Sequence, residues 1–114
     1  MSKEIKRGEI YWVDWSLSRG SEQSGVGPAL IIQNDTGNRC SPTTIVASVS
    51  TASEKSYPFL VRFTAAESGL RRDSMVNLSS ILTIDQTCLG DKCGELNEIK
   101  MAEVNQAIRV SLAL

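Results

Sequence analysis

The sequence has no histidine, and it has three cysteines among its 114 residues. The missing histidine removes the side chain that most often serves as a general acid or base near neutral pH. Three thiols cannot all pair, and Cys88 and Cys93 are too far apart in sequence for the C-x2-C spacing of a zinc site. We therefore predict that Cys40, Cys88 and Cys93 are free thiols, and that the chain uses no metal and no cofactor.

Long apolar runs are also absent. No run approaches the ~20 residues that a transmembrane helix requires. Residues 1–9, which read MSKEIKRGE, are charged and contain no apolar h-region, so we predict no signal peptide. These absences predict a cytoplasmic protein without a membrane anchor.

An excess of positive charge is missing as well, since 12 Lys and Arg stand against 13 Asp and Glu, for a formal net charge of −1. Nucleic-acid-binding proteins often carry a basic surface because their phosphate contacts come from Lys and Arg. Any nucleic-acid site in this chain must therefore be a local patch. The arginines available for such a patch are Arg39, Arg62, Arg71 and Arg72.

What the sequence does contain is a series of short strand patterns in a chain of one-domain size. Aromatic and β-branched residues favour strands over residues 9–15, 29–33, 43–49, 59–63 and 74–78, with a further extended piece over 82–85. The polar cluster of residues 34–38 predicts a turn that joins the second and third strands into a β-hairpin. Residues 50–57 are polar and predict a loop.

The sequence also predicts two helices, a short one between strands and a long one after the last strand. Thr64 and Glu67 have capping-box spacing, which predicts a single helical turn. Residues 96–112 form the one long helical pattern. Its apolar stripe consists of Met101, Val104, Ile108 and Leu112. Short strands followed by a C-terminal helix predict a mainly β fold, a small antiparallel barrel formed by one domain over residues 1–114.

The most informative segment is Gly20–Asp35, which reads GSEQSGVGPALIIQND. Together with residues 7–10 (RGEI) and short motifs that continue into the closing helix, it resembles the MazF/PemK/Kid family of toxin endoribonucleases. The resemblance implies an SH3-like barrel of the CcdB/MazF type in a type II toxin–antitoxin system. It also implies a homodimer, single-stranded mRNA as the substrate and a MazE-like antitoxin as the partner.

The activity implied by this resemblance is metal-independent RNA cleavage. The ribose 2′-OH attacks the neighbouring phosphate and leaves a 2′,3′-cyclic phosphate and a 5′-OH, which requires a base, an acid and cations that offset charge on the phosphorane. The family has an arginine at the position of Gly27 and a threonine at the position of Ser50. Because losing a preorganised donor costs on the order of 10²–10³ in rate, we predict weakened or absent cleavage. Gly27 is either a natural variation or a substitution introduced into a toxic protein.

Other site residues follow from the same resemblance. Arg71 and Asp73 resemble the acid/base pair proposed for the Kid branch, and the alternative is a solvated charged turn. Loop amides and carboxylates suit base edges in single-stranded RNA, and tryptophans can stack on bases. The residues predicted to bind RNA are Ser21, Glu22, Gln23, Arg39, Arg72 and Trp15. Trp12 is predicted to pack in the core or in a dimer interface.

Two other functions fit the same fold. One is a non-catalytic, CcdB-like toxin that binds DNA gyrase. The other is a decayed homologue that only binds antitoxin. The segment from residue 20 to residue 35 favours RNA cleavage over gyrase binding.

Overall fold

A six-stranded antiparallel sheet organises residues 4–15 and 25–114, the part of the chain that this computed structural model describes. The strands are β1 (Glu9–Asp14), β2 (Val26–Ile31), β3 (Thr43–Thr51), β4 (Leu60–Phe63), β5 (Ser74–Asp85) and β6 (Leu89–Glu95). The helices are α1 (Asp35–Cys40), α2 (Ala65–Ser68) and α3 (Glu98–Leu112), and a 3-10 turn spans Gln86–Cys88. The strand order is β4-β5-β3-β2-β1-β6, so the mainly β prediction with a C-terminal helix is confirmed.

The sheet separates two hydrophobic clusters because side chains alternate between its faces. Ile10 pairs with Leu30 across β1 and β2, and both belong to the cluster that α3 covers with Met101 and Val104. We call this side of the sheet the helix face. The opposite side, which we call the far face, carries the second cluster, whose members include Tyr11, Val13, Trp15, Ala29, Ile31 and Val46.

Helix α3 begins later than the sequence pattern predicts. Asn97 is its N-cap, and the Asn97 side chain accepts a hydrogen bond from the backbone N–H of Lys100. The buried positions of the helix are Met101, Val104 and Ala107. Leu112 was predicted to extend the apolar stripe, but it is 54% exposed. The buried stripe runs from Met101 through Val104 to Ala107 and does not reach the last turn of the helix.

The predicted turn over residues 34–38 is instead the start of α1. Asn34 caps this helix by accepting a hydrogen bond from the backbone N–H of Gly37. The residues that follow it therefore form a helix and not an isolated turn. The buried Asn38 amide accepts from the hydroxyl of Thr44 at 2.7 Å and from the side chain of Gln33 at 3.0 Å. The polar side chains of this segment therefore form hydrogen bonds with one another. The antiparallel pairing of β2 with β3 across it confirms the predicted hairpin.

Strand β5 covers both pieces predicted at 74–78 and 82–85. Its pairing with β3 shifts register between Ala47, which faces Ile81, and Ser48, which faces Asn77. Residues 78–80 are therefore an irregular insertion that bends a single 12-residue strand. The gap between the two predicted strand pieces therefore corresponds to a β-bulge within one continuous strand.

Strand β6 was not predicted, because its sequence LGDKCGE lacks strand-forming residues. One of its glycines is required by packing against α2. A Cβ atom on Gly94 would lie 2.5 Å from the carbonyl oxygen of Ser68. The described residues contain no helix long and apolar enough to cross a membrane.

Candidate functional site

A cleft of about 800 Å³ opens beside α2, between β6 and the end of β3. Trp12 and Pro28, which pair across β1 and β2, line its apolar part together with Leu70. The indole of Trp12 is 42% exposed, which is unusual for a large aromatic side chain within a sheet. The cleft therefore combines an accessible aromatic surface with a concave shape.

The polar part of the cleft carries hydroxyl and guanidinium groups. Ser50 and Thr51 end β3, and both are exposed. Gly69 closes α2 in the left-handed conformation, at φ 84°, and the chain then turns so that Arg71 and Arg72 line the cleft. Within the described residues neither guanidinium makes an ion pair. Both arginines are thus available for an anionic ligand.

Lys92 on β6 adds a third cation, which the sequence analysis missed. Its Nζ lies 3.0 Å from Oε2 of Glu9 and 3.6 Å from Oε1 of Glu95. The hydrogen bond to Glu9 is the main reason that the pKa of Lys92 is raised. Glu9 also accepts from the hydroxyl of Tyr11 at 3.0 Å. Lys92 is therefore held at the cleft wall by an acidic neighbour that the sequence separates from it by more than 80 residues.

The predicted catalytic positions Gly27 and Ser50 belong to neighbouring strands. Ala29 pairs with Ser48, and two further residues along each strand lead to Gly27 and Ser50. The pairing of β2 with β3 ends at Ala29 and Ser48, so Gly27 and Ser50 lie two residues beyond the last pair on adjacent strands. Ser50 lines the cleft, whereas Gly27 does not. The space next to Gly27 is occupied by Trp15, whose Nε1 would be 3.1 Å from a Cβ atom at position 27.

The predicted pairing of Arg71 with Asp73 is not formed. Oδ1 of Asp73 accepts from the N–H of Ala65 at 2.9 Å and so holds the start of α2. Asp73 lines a second, smaller cleft of about 290 Å³ with Arg62 and Lys100, and it does not line the cleft of Arg71. The structure therefore gives Asp73 a supporting role for α2.

The two tryptophans differ in exposure. Trp15, predicted to stack on RNA, is 5% exposed and packs in the far-face cluster, so it presents no free ring face. Trp12, predicted to pack in the core or in a dimer interface, is 42% exposed and lines the cleft, which excludes the core and leaves the dimer interface as a prediction. Alternation along β1 explains the difference, because Trp12 shares the side of Ile10 whereas Trp15 shares the side of Tyr11 and Val13.

Arg39 lies away from the cleft. It is exposed on α1, next to the Thr43 end of β3, whereas Ser50 is at the other end of that strand. Seven residues at ~3.3 Å each separate these ends by about 20 Å. Ser21, Glu22 and Gln23, the other predicted RNA-binding residues, lie outside the described part of the chain.

Metal ligands are not grouped in the described part of the chain. Residues 4–15 and 25–114 contain no cluster of three or more His, Cys, Asp or Glu side chains that could hold a metal ion. Cys40, Cys88 and Cys93 are free thiols; Cys88 and Cys93 are half-buried and Cys40 is exposed. Cys93 lines the cleft, and desolvation by burial raises the pKa of its thiol, which disfavours the reactive thiolate.

Comparison with known protein families and curated relatives gives a consistent assignment. Residues 6–112 match the PemK-like, MazF-like toxin of type II toxin–antitoxin systems. Endoribonuclease EndoA of Bacillus subtilis (strain 168) is 46% identical over 111 residues, which cover 96% of both chains. Endoribonuclease MazF of Staphylococcus epidermidis is 44% identical over 111 residues, 96% of this chain and 92% of the relative. The chain belongs to the PemK-like, MazF-like toxin family.

Solved structures agree with this assignment. An endoribonuclease in complex with its cognate antitoxin, from mycobacterial species, matches with a TM-score of 0.79 at 25% identity, over 96% of each chain. MazF from Deinococcus radiodurans matches with a TM-score of 0.80 at 21% identity, over 99% of this chain and 100% of the other. The predicted CcdB/MazF type of fold is thereby confirmed.

Proposed function

We propose that residues 1–114 form a single-domain toxin of a type II toxin–antitoxin pair that acts as a sequence-selective endoribonuclease on single-stranded mRNA. Family membership and the endoribonuclease relatives at 44% and 46% identity support the class. The observation that carries the assignment to a site is the cleft in which Arg71, Arg72 and Ser50 lie beside the exposed indole of Trp12.

The polar groups of this cleft suit a phosphodiester in the course of cleavage. A guanidinium contacts two phosphate oxygens at once and offsets the charge that grows as the 2′-OH attacks. Arg71 and Arg72 supply that charge, and the hydroxyl of Ser50 supplies a hydrogen bond to the same group. The products are a 2′,3′-cyclic phosphate and a 5′-OH, and no metal or other cofactor takes part.

The apolar wall of the cleft suits the bases of the same strand. Aromatic side chains bind unpaired bases by stacking, and each stacked base contributes about 1–3 kcal/mol. Trp12 offers an accessible ring within the cationic cleft, and Pro28 and Leu70 extend the apolar surface. Single-stranded RNA therefore fits this cleft better than a duplex, whose bases are already paired and stacked.

Gly27 lowers the activity of this toxin, because the position that carries the family's arginine has no side chain here. Cleavage is weak or absent in the chain as written. Because Ser50, Arg71 and Arg72 are present, the chain still binds RNA although it cleaves RNA weakly or not at all.

One experiment tests the whole assignment. The purified chain and its Gly27→Arg variant are incubated with a long single-stranded RNA in EDTA, and 5′-OH ends are mapped. Cleavage by the variant, with weaker or no cleavage by the parent, is expected. No cleavage by either chain, together with inhibition of DNA gyrase, would replace this function by the CcdB-like alternative. Binding of antitoxin alone would indicate the decayed homologue.

The partners follow from the same class. The matching mycobacterial endoribonuclease is solved in complex with its cognate antitoxin. By analogy a MazE-like antitoxin binds this chain, and its acidic residues meet Arg71 and Arg72 in the cleft. The functional form is a homodimer in the cytoplasm.

A further inference from the structure

Position 27 faces a side chain that leaves little space above it. Gly27 pairs with Val13 across β1 and β2, and Trp15 follows Val13 by two residues, so Trp15 lies on the same face. A Cβ atom at position 27 would lie 3.1 Å from Nε1 and 3.4 Å from Cδ1 of Trp15. Carbon atoms in favourable contact are about 3.5–4.0 Å apart. The edge of the indole therefore covers the glycine.

Packing holds this indole in place. Trp15 is 5% exposed and belongs to the far-face cluster with Ile5, Val13 and Ile31. Its backbone N–H donates to the carbonyl oxygen of Gly25 at 2.9 Å, which ties the residue to the start of β2. A tryptophan buries roughly 150–250 Å², so moving the ring away from position 27 disrupts part of this cluster.

We propose that Trp15 is a positioning residue that determines which side chain position 27 can hold. This inference rests on the proposed function, in which position 27 is the position of the family's catalytic arginine. The ring leaves room for glycine, a Cβ atom requires the ring to shift by a few tenths of an ångström, and a longer side chain requires a larger shift. Gly27 and Trp15 are thus a complementary pair, and adding an arginine alone restores cleavage only in part, because the ring holds the guanidinium away from its most productive position.

A double-mutant cycle on stability tests the pairing without using activity. Alanine for glycine within a strand is ordinarily favourable. Here we expect Gly27→Ala to lower Tm by roughly 3–6 °C in the parent chain and to leave it unchanged or raise it in the Trp15→Leu background. A Tm that rises equally in both backgrounds would refute the inference. Trp15→Phe, with a smaller ring, serves as the second background if Trp15→Leu does not fold.

Fluorescence reports the position of the ring itself. The chain has two tryptophans, so Trp12→Phe leaves Trp15 as the single emitter. In that background we expect Gly27→Arg to shift the emission of Trp15 to longer wavelength, because the long side chain moves the ring out of its buried position, and we expect Gly27→Ala to cause a smaller shift. An unchanged spectrum for both variants would show that position 27 accepts side chains without moving Trp15, which contradicts the proposal.

Cleavage assays separate this inference from the proposed function. Gly27→Arg combined with Trp15→Leu should have a kcat at least ~10-fold above that of Gly27→Arg alone, with little change in KM. Equal kcat values would show that Trp15 does not position the arginine. If neither variant cleaves RNA, the proposed function fails, and the Tm and fluorescence results still decide whether Trp15 controls position 27.

Discussion

At the scale of single residues, the arginines of the cleft make the sharpest prediction. Arg71→Gln or Arg72→Gln should weaken RNA binding, because each removes a cation from the cleft. Each lost phosphate contact should reduce the slope of log affinity against log salt by ~0.7 for a single strand. Binding is measured by fluorescence anisotropy across a salt series. The exposed Arg109 on α3 provides the control, since Arg109→Gln should leave the slope unchanged.

For Asp73 we predict an effect on stability and no effect on catalysis. Its carboxylate accepts from the N–H of Ala65, so Asp73→Ala should lower the free energy of unfolding by about 1 kcal/mol. The pH dependence of cleavage by a Gly27→Arg chain should not change when Asp73→Ala is added. Urea titration and a pH–rate profile provide the two measurements. Loss of the acidic limb of that profile, on which a general base becomes protonated, would restore Asp73 as a catalytic base.

Tyr11 gives a prediction about alkaline pH. Desolvation by burial, followed by its hydrogen bond to Glu9, raises the pKa of Tyr11 to about 12. In the unfolded chain the phenol ionises near pH 10, so the folded state binds its proton more tightly between these values. Stability from this group is present below pH ~10 and is lost as the pH rises toward 12. Tyr11→Phe should flatten that loss in a series of urea titrations from pH 8 to pH 11.5, and an unaltered slope would contradict the assignment.

At the scale of secondary-structure elements, the sequence predicted what local patterns determine. The β-branched strands and the capping box of Thr64 and Glu67 depend on neighbours in sequence, and the structure confirms them. Strand β6 depends on pairing with β1, about 80 residues earlier. Its glycines lower the strand propensity of its sequence, so the local pattern did not predict a strand. Helix α1 was missed because Asn34 and its neighbours favour both turns and N-caps.

The contact between β6 and α2 can be tested at Gly94. Gly94→Ala brings a methyl group within 2.5 Å of the Ser68 carbonyl oxygen, so it should cost about 1–3 kcal/mol of stability. Gly90→Ala provides a matched comparison on the same strand, because its nearest atom is the Trp12 carbonyl oxygen at 3.3 Å. Thermal unfolding should show the larger loss for Gly94→Ala. Equal losses would mean that α2 moves freely away from β6.

At the scale of the whole molecule, the proposed homodimer predicts a measurable mass. The chain has a mass of 12.4 kDa, and light scattering at micromolar concentration should report twice this value. Exposed apolar side chains at the end of α3, such as Leu112 and Leu114, are consistent with an additional buried surface in solution. A monomer mass across the concentration range would contradict the proposal.

The candidate site was only partly predictable because it is assembled across the whole molecule. Arg72 and Ser50 could be named from the resemblance, and both line the cleft. Trp12 and Lys92 could not, since the face of a strand residue and the partner of a lysine depend on register and on strand order. Asp73 was assigned from the resemblance and Arg39 by residue type, and neither basis gives the direction of a side chain or its distance from the cleft.

The pairing of β1 with β6 has a consequence for synthesis on the ribosome. Lys92 and Cys93 reach the cleft only when β6 adds to the edge of β1. A nascent chain that ends before residue 89 therefore has the first cleft residue, Trp12, but lacks one wall of the cleft. The complete RNA-binding surface forms only after nearly the whole polypeptide has been made.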